Sequence, residues 1–288
     1  MPEVIVKTKI AIKPPSNLQI YQLTPVKATR EMVAKIGAPF GLRTELQHGT
    51  ITETSTAIHY TEGPWTMQLH RASGGWKYQN IHLWQRDNGE VNFKIEDREA
   101  LLLAQQQIAK FKLAATNELR PLRVTRLHVA DSASGKTDNN ERIIDVAVVH
   151  ERMIDGLPVE GPGGKIVVFF DYERQLSGIH QLWHQINKVY QPVKALRPTD
   201  WAIEQIKARF AGTGPGRVEV TEMRLGYFEM NYDHVQEYLQ PAYVVFVTLI
   251  SQDERIHMPS VFAFPAAENS VGLIEPEPRP QPPQTARH

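Results

Sequence analysis

The sequence predicts an α+β protein built from repeated modules, each one helix packed on an antiparallel β-meander. Three observations carry that expectation. Helical signals begin near residues 25, 98 and 200. Period-two apolar runs, cut by glycine and proline turns, follow each of them. The connections are short, so each helix falls beside the strands that come next. A lone helix cannot bury its apolar stripe and a lone meander leaves one face wet, and packing one on the other resolves both. The expected units are residues 1–95, 96–192 and 193–266, then a proline-rich disordered tail over 267–288.

At the N-terminus Val4, Val6, Ile10 and Ile12 alternate with lysines and read as a strand. The first helix is expected from Pro25 to Ile36. Thr24 would cap it, Pro25 suits the first helical position, Gly37 stops it, and Met32, Val33 and Ile36 form its buried face. Strands follow at Thr54 to Tyr60, Trp65 to Arg71 and Trp76 to Trp84, separated by Gly-Pro and Gly-Gly turns. The second helix is expected from Arg98 to Leu113, capped by Asp97. Its strands are Arg123 to Val129, Arg142 to Glu151, Lys165 to Asp171 and Gln175 to Val189. The third helix is expected from Asp200 to Phe210, capped by Thr199. Arg217 to Tyr232, Tyr238 to Ser251 and Arg255 to Phe264 complete the set, and Ala242 to Ile250 is apolar enough for a central strand covered on both faces.

Composition narrows the function classes. The 288 residues balance 32 basic against 32 acidic side chains, with no cationic block of the kind that neutralises phosphates, so no nucleic-acid partner is expected. The absence of cysteine removes disulfides, thiolate catalysis and cysteine-ligated metals. No apolar run reaches the roughly 20 residues of a membrane-spanning helix. No signal-peptide stretch opens the chain, which favours a cytoplasmic protein or a shortened chain.

The motifs that suggest chemistry fail on geometry. Ala130 to Thr137 satisfies a permissive phosphate-loop pattern, but a helix must follow such a loop and a β-run, Ile143 to Val149, follows instead. Gly156 to Gly164 and Gly212 to Gly216 read as turns, since neither lies between a strand and a following helix. His180 and His184, on one expected strand, would stand about 13 Å apart at ~3.3 Å per residue and could not share a metal. His59, His70 and His82 lie on neighbouring expected strands whose registers are open. No catalytic, cofactor-binding or metal-binding residue is assigned, and no cofactor is expected. Pro280 and Pro283 have a minimal docking spacing, but proline-rich composition alone accounts for it and the stretch reads first as a plain extended tail. Trp76, Tyr78, His82 and Trp84 share one face of their expected strand, either as core or as a candidate partner surface, with core the commoner use of large aromatics.

Two stretches resemble the tandem PepSY-like proteins of bacteria. The first is Met153 to Asp171, where Asp155, Gly156, Pro158, Gly161, Gly163 and Gly164 form the turn before an apolar strand. The second holds Leu225-Gly-Tyr-Phe228, then Leu239-Gln-Pro-Ala-Tyr-Val-Val-Phe246 and a last strand closing on Phe262-Ala-Phe-Pro265. The resemblance implies a non-enzymatic, extracytoplasmic module that modulates a peptidase or signalling component at the cell envelope. The expectation is therefore a binding or regulatory protein with a protein partner. A structural or assembly subunit pairing through edge strands, with oligomers allowed, is the alternative, and an enzyme with a dispersed site is the third.

Overall fold

The computed structural model describes residues 2–42, 48–85, 94–129, 142–211 and 215–274. In chain order the elements are β1 (Glu3–Val6), β2 (Gln19–Leu23), α1 (Arg30–Gly37), β3 (Thr50–Glu53), β4 (Ala57–Glu62), β5 (Trp65–His70), β6 (Trp76–Asn80), α2 (Ile81–Gln85) and α3 (Asp97–Phe111). Then come β7 (Leu119–Val129), β8 (Arg142–Ile154), β9 (Leu157–Glu160), β10 (Lys165–Phe170), β11 (Leu176–Leu182), β12 (Ile186–Pro192), α4 (Thr199–Arg209), β13 (Arg217–Phe228), β14 (Tyr238–Leu239), β15 (Pro241–Ile250) and β16 (His257–Pro265).

The expected fold class is corrected. The chain is mostly β, and thirteen of its strands join one mixed sheet instead of three separate meanders. The order is β16-β15-β13-β9-β8-β10-β11-β6-β5-β4-β3, with β1 also on β13 and β7 also on β8. The strands expected to form a first module continue directly into those of the second, because β6 pairs with β11 from Gln79↔Gly178 to Trp76↔Gln181. The helices do not keep to one each either. Val33 of α1 and Ala100, Ala104 and Ile108 of α3 enter the same core, with Tyr60, Leu69, Tyr78, Val148, Phe170 and Ile179. Period-two patterning tells a strand which face to bury, and many neighbours satisfy it equally well.

A second core gathers Ala202, Ile203 and Ile206 of α4 with Val218, Val220, Tyr227, Val245 and Val247. The three-stranded sheet β12-β2-β14 adds Leu23 and Leu239 to it. The link between the two halves is narrow. β8 turns at Asp155-Gly156 into β9, which lies parallel to the end of β13 through Val159↔Tyr227 and Glu160↔Phe228.

Local chemistry moves the helix ends. Thr29, whose hydroxyl accepts from the Met32 amide at 3.2 Å, caps α1 in place of Thr24. Thr24 instead donates its amide to the Gln185 carbonyl, which keeps residues 24–28 out of the helix. Leu102 of α3 is 52% exposed, because small residues at Ala100 and Ala104 let the helix approach the sheet along a narrow stripe. β15 is buried along most of its length between β13 and β16.

Candidate functional site

The feature most suited to binding is a groove of about 530 Å³, within the roughly 300–1,000 Å³ of ligand sites. Four separated segments meet there: the loop before α1 with α1 and its 3-10 turn, the β5–β6 turn with Trp76, the end of α3, and residues 181–185 at the end of β11. Its floor is apolar, built from Met32, Ile36, Phe40, Trp76, Phe111 and Trp183. Phe40 organises this floor. Its ring lies 4.3 Å from Tyr78, 4.5 Å from Phe111 and 5.6 Å from Trp76, centroid to centroid, and its carbonyl accepts from the Tyr78 hydroxyl at 3.1 Å. Such offset aromatic packing fixes ring orientation beyond what area burial alone would do.

The rim differs from the floor. Lys27, Lys35 and Lys112 line the groove and are exposed, and among the described residues no carboxylate lines it. Lys112 is held outward by a left-handed backbone, φ 52°, where α3 ends. Gln181 and Gln185 supply amide groups on the opposite wall.

The glycine-rich turn does other work. Asp155 and Gly156 both have positive φ, 50° and 77°, as a two-residue hairpin turn between β8 and β9 requires. The Asp155 carboxylate accepts from the Tyr21 hydroxyl at 2.8 Å and the Tyr227 hydroxyl at 2.6 Å, tying β2 and β13 to the turn. Burial raises the pKa of both phenols, and their hydrogen bonds to Asp155 add to the effect, so they stay protonated donors. Farther along, a Cβ on Gly163 would meet the Met230 carbonyl at 2.6 Å, and one on Gly164 would meet Val159 at 2.4 Å. Pro158 pairs with Met153 in the hairpin, and Gly161 lies against the Glu229 carbonyl.

Beneath this turn lies a buried ionic joint. Glu229, fully buried, accepts at Oε1 from the His184 amide at 2.6 Å and shares a 2.9 Å hydrogen bond with His184 Nδ1. Arg152 donates to the His184 carbonyl at 2.9 Å, and its guanidinium lies over the Trp183 ring. Burial lowers the Arg152 pKa, and the Glu229 charge opposes that fall. Lys165 donates to the Val159 carbonyl at 2.6 Å and the Gly163 carbonyl at 3.0 Å. A histidine, a carboxylate and an arginine gathered beside Lys165 resemble catalytic machinery. His184, Glu229 and Arg152 are 5% exposed or less, which removes them from any substrate, and their hydrogen bonds run across the link between the two cores, so the cluster is a structural joint.

The expected aromatic face is broken up. Trp76 and Tyr78 are core residues, 6% and 1% exposed. β6 stops at Asn80, whose side-chain oxygen accepts from the His82 and Leu83 amides and so starts α2. His82 is an exposed residue of that helix and Trp84 belongs to it too, so neither shares the strand face. The strand expected from Gln175 to Val189 is likewise two strands in different sheets, with His180 in β11 and His184 in the break. Among the described residues no group of three or more His, Asp or Glu side chains could hold a metal. The phosphate-loop-like segment 130–137, most of the second glycine turn and residues 275–288 of the proline-rich tail lie outside the described residues, although the strand after the first of these, β8, runs antiparallel to β7. Residues 267–274, expected in that tail, instead pack on the fold, where the Glu268 amide donates to the Ala195 carbonyl at 3.0 Å and Ile274 is buried.

No family model matches the chain, and no curated protein matches it. Among solved structures it is similar to an uncharacterized protein from Eubacterium rectale ATCC 33656, with a TM-score of 0.52, 12% identity, and coverage of 90% of this chain and 86% of that one. At that identity the likeness concerns the fold alone. No helix of the described residues is long and apolar enough to cross a membrane.

Proposed function

We propose that this chain is a non-enzymatic binding protein that takes a segment of another protein in the groove between α1 and the end of α3. One observation carries the reading: the groove joins a fixed aromatic floor to an exposed cationic rim, whereas the ionisable cluster that could do chemistry is sealed. Aromatic floors of this kind anchor partners because they bury large area at little cost in rotamer freedom. The similarity of residues 153–171 and 225–265 to tandem PepSY-like proteins supports a regulatory role toward a peptidase or signalling component of the cell envelope. The test is capture of a partner from the native cell, its identification, and reconstitution with purified components. Val26→Glu, placed in the groove wall, is expected to abolish the reconstituted complex while leaving thermal unfolding unchanged. A complex of undiminished strength would remove the groove from the reading.

A second reading has its own observation. β16 closes one edge of the large sheet and carries exposed Met258 and Val261, with Ile256 exposed just before it. An apolar edge of that length is a template for strand pairing with another copy. Light scattering over a concentration series separates the readings, since a particle that stays monomeric at high concentration excludes assembly through β16.

A further inference from the structure

We infer that the groove's occupant is an acidic peptide segment, with large apolar side chains on the aromatic floor and carboxylates on both sides of them. The inference rests on the binding reading above and gives it a chemical class. In a chain with 32 basic and 32 acidic residues, a rim that bears three lysines and, among the described residues, no carboxylate is a local excess, and the excess borders an apolar, aromatic-floored concavity. None of the three lysine ammonium groups has an ion pair or hydrogen bond among the described residues, unlike the guanidinium groups of Arg30, Arg71, Arg120 and Arg174, which are held by Glu53, Glu53, Glu151 and Glu99. Unpaired cations around an apolar floor favour a ligand that is apolar at its centre and anionic at its edges.

The number and placement of the charges choose between two such ligands. Lys27, Lys35 and Lys112 stand on three different segments: the loop before α1, α1 itself, and the residue that ends α3. A fatty acid carries one carboxylate and would leave two of them unanswered. A peptide with several acidic side chains meets all three. The wall opposite offers Gln181 and Gln185, whose amide groups suit peptide backbone better than an acyl chain. Gln181 already donates to the Leu113 carbonyl at 3.1 Å, which leaves its own carbonyl oxygen to accept from a ligand amide.

The experiment is a selection with the full chain as target and a displayed library of random short peptides as probe. The charge-reversed variant Lys27→Glu/Lys35→Glu/Lys112→Glu serves as counter-target; all three positions are exposed, so its fold is checked simply by a matching melting curve. Enriched sequences are expected to place Leu, Phe or Trp between Asp and Glu residues. Their synthetic forms should bind the variant about tenfold or more weakly, and should weaken with added salt. Laurate is titrated separately, followed by the emission of Trp76 and Trp183. Enrichment of apolar peptides without charge bias, binding the variant equally, would overturn the acidic inference and leave the groove as a peptide site. Binding of laurate with no enriched peptide would overturn it in favour of an anionic amphiphile. No enrichment and no laurate response would overturn both the inference and the binding reading on which it stands.

Discussion

The two halves of the large sheet cover their apolar faces differently. In the half built on β3–β6, β8, β10 and β11, two helices lie on the face, and where α1 and the end of α3 meet they leave a groove with an aromatic floor. In the half built on β13, β15 and β16, one helix shares the core with a small three-stranded sheet, and Leu23, Tyr227 and Leu239 are all but fully buried there. The described concavities of the second half, such as the one lined by Met230, Val235, Tyr238 and Leu273, lack the floor of packed aromatic rings that the first half builds where its two helices meet. Between the halves, the polar side chains around Glu229 do what apolar packing does elsewhere.

That joint is where the comparison breaks most readily. Replacing Glu229 by alanine removes the buried carboxylate whose charge most offsets the burial of Arg152, leaving it with the half-exposed Glu118 at 3.9 Å, and leaves the His184 amide without an acceptor. The expected loss is about 3–5 kcal/mol of unfolding free energy, read by urea titration. Glu229→Gln keeps an acceptor and should lose less. If the joint couples the halves, Glu229→Ala should lower both cores together in one transition. A two-step curve would show that the halves unfold independently.

The next largest effect lies in the turn above it. Gly164 has φ 66°, and a side chain there would collide with Val159, which is completely buried. Gly164→Ala should cost about 1–3 kcal/mol, and Gly156→Ala less, since nothing lies within 4 Å of a Cβ at that position and only the backbone penalty remains. Equal costs at the two glycines would mean that contact with β9 contributes nothing.

The first half also carries an acid sensitivity. His70 and His180 lie on β5 and β11, under Tyr232 and beside Phe169 respectively. Burial pulls His70 down to about 4 and His180 to about 3, and the charge of Lys77 adds to both. Asp233 opposes the shift at His70, while His59 reinforces it there and His70 reinforces it at His180. A histidine near 6.5 when unfolded and lower when folded binds more protons in the unfolded state between those values. The stability is therefore complete above about pH 6.5 and is lost as pH falls toward 4. Urea midpoints measured across that range should fall steadily, and His70→Gln/His180→Gln should flatten the slope. An unchanged slope would assign the acid sensitivity elsewhere, with buried His150 the first candidate because its pKa is also lowered by burial.

Much of the strand content was legible, because alternation at Trp65 to His70, Lys165 to Phe170 and Arg217 to Phe228 reports one buried face directly. Ala242 to Ile250 was legible for the opposite reason, a run apolar on both faces. What stayed hidden is pairing. Nothing in Trp76-Lys-Tyr-Gln-Asn80 says that β11, a hundred residues on, is its neighbour. β2 was missed because Gln-Ile-Tyr-Gln-Leu is short and half polar, and it becomes a strand only between β12 and β14. The groove could not be read at all, since its walls come from residues 24–40, 73–76, 111–113 and 181–185. The end of β6 did carry a signal: Asn80 is a strong N-cap residue, and weighing it against the aromatic alternation would have placed His82 on a helix.

The smallest effect tests the groove's own framework. Thr29→Ala removes the hydroxyl that accepts from Met32 and should cost about 1 kcal/mol, in the usual range for an N-cap. Because α1 is only eight residues long, its N-terminal turn carries Met32, part of the groove floor. Hydrogen exchange should therefore accelerate at Met32 and Val33 while the amides of β13 and β15 keep their protection. Exchange that rises equally in both halves would mean that the cap stabilises the whole sheet, and that the groove has no local flexibility of its own.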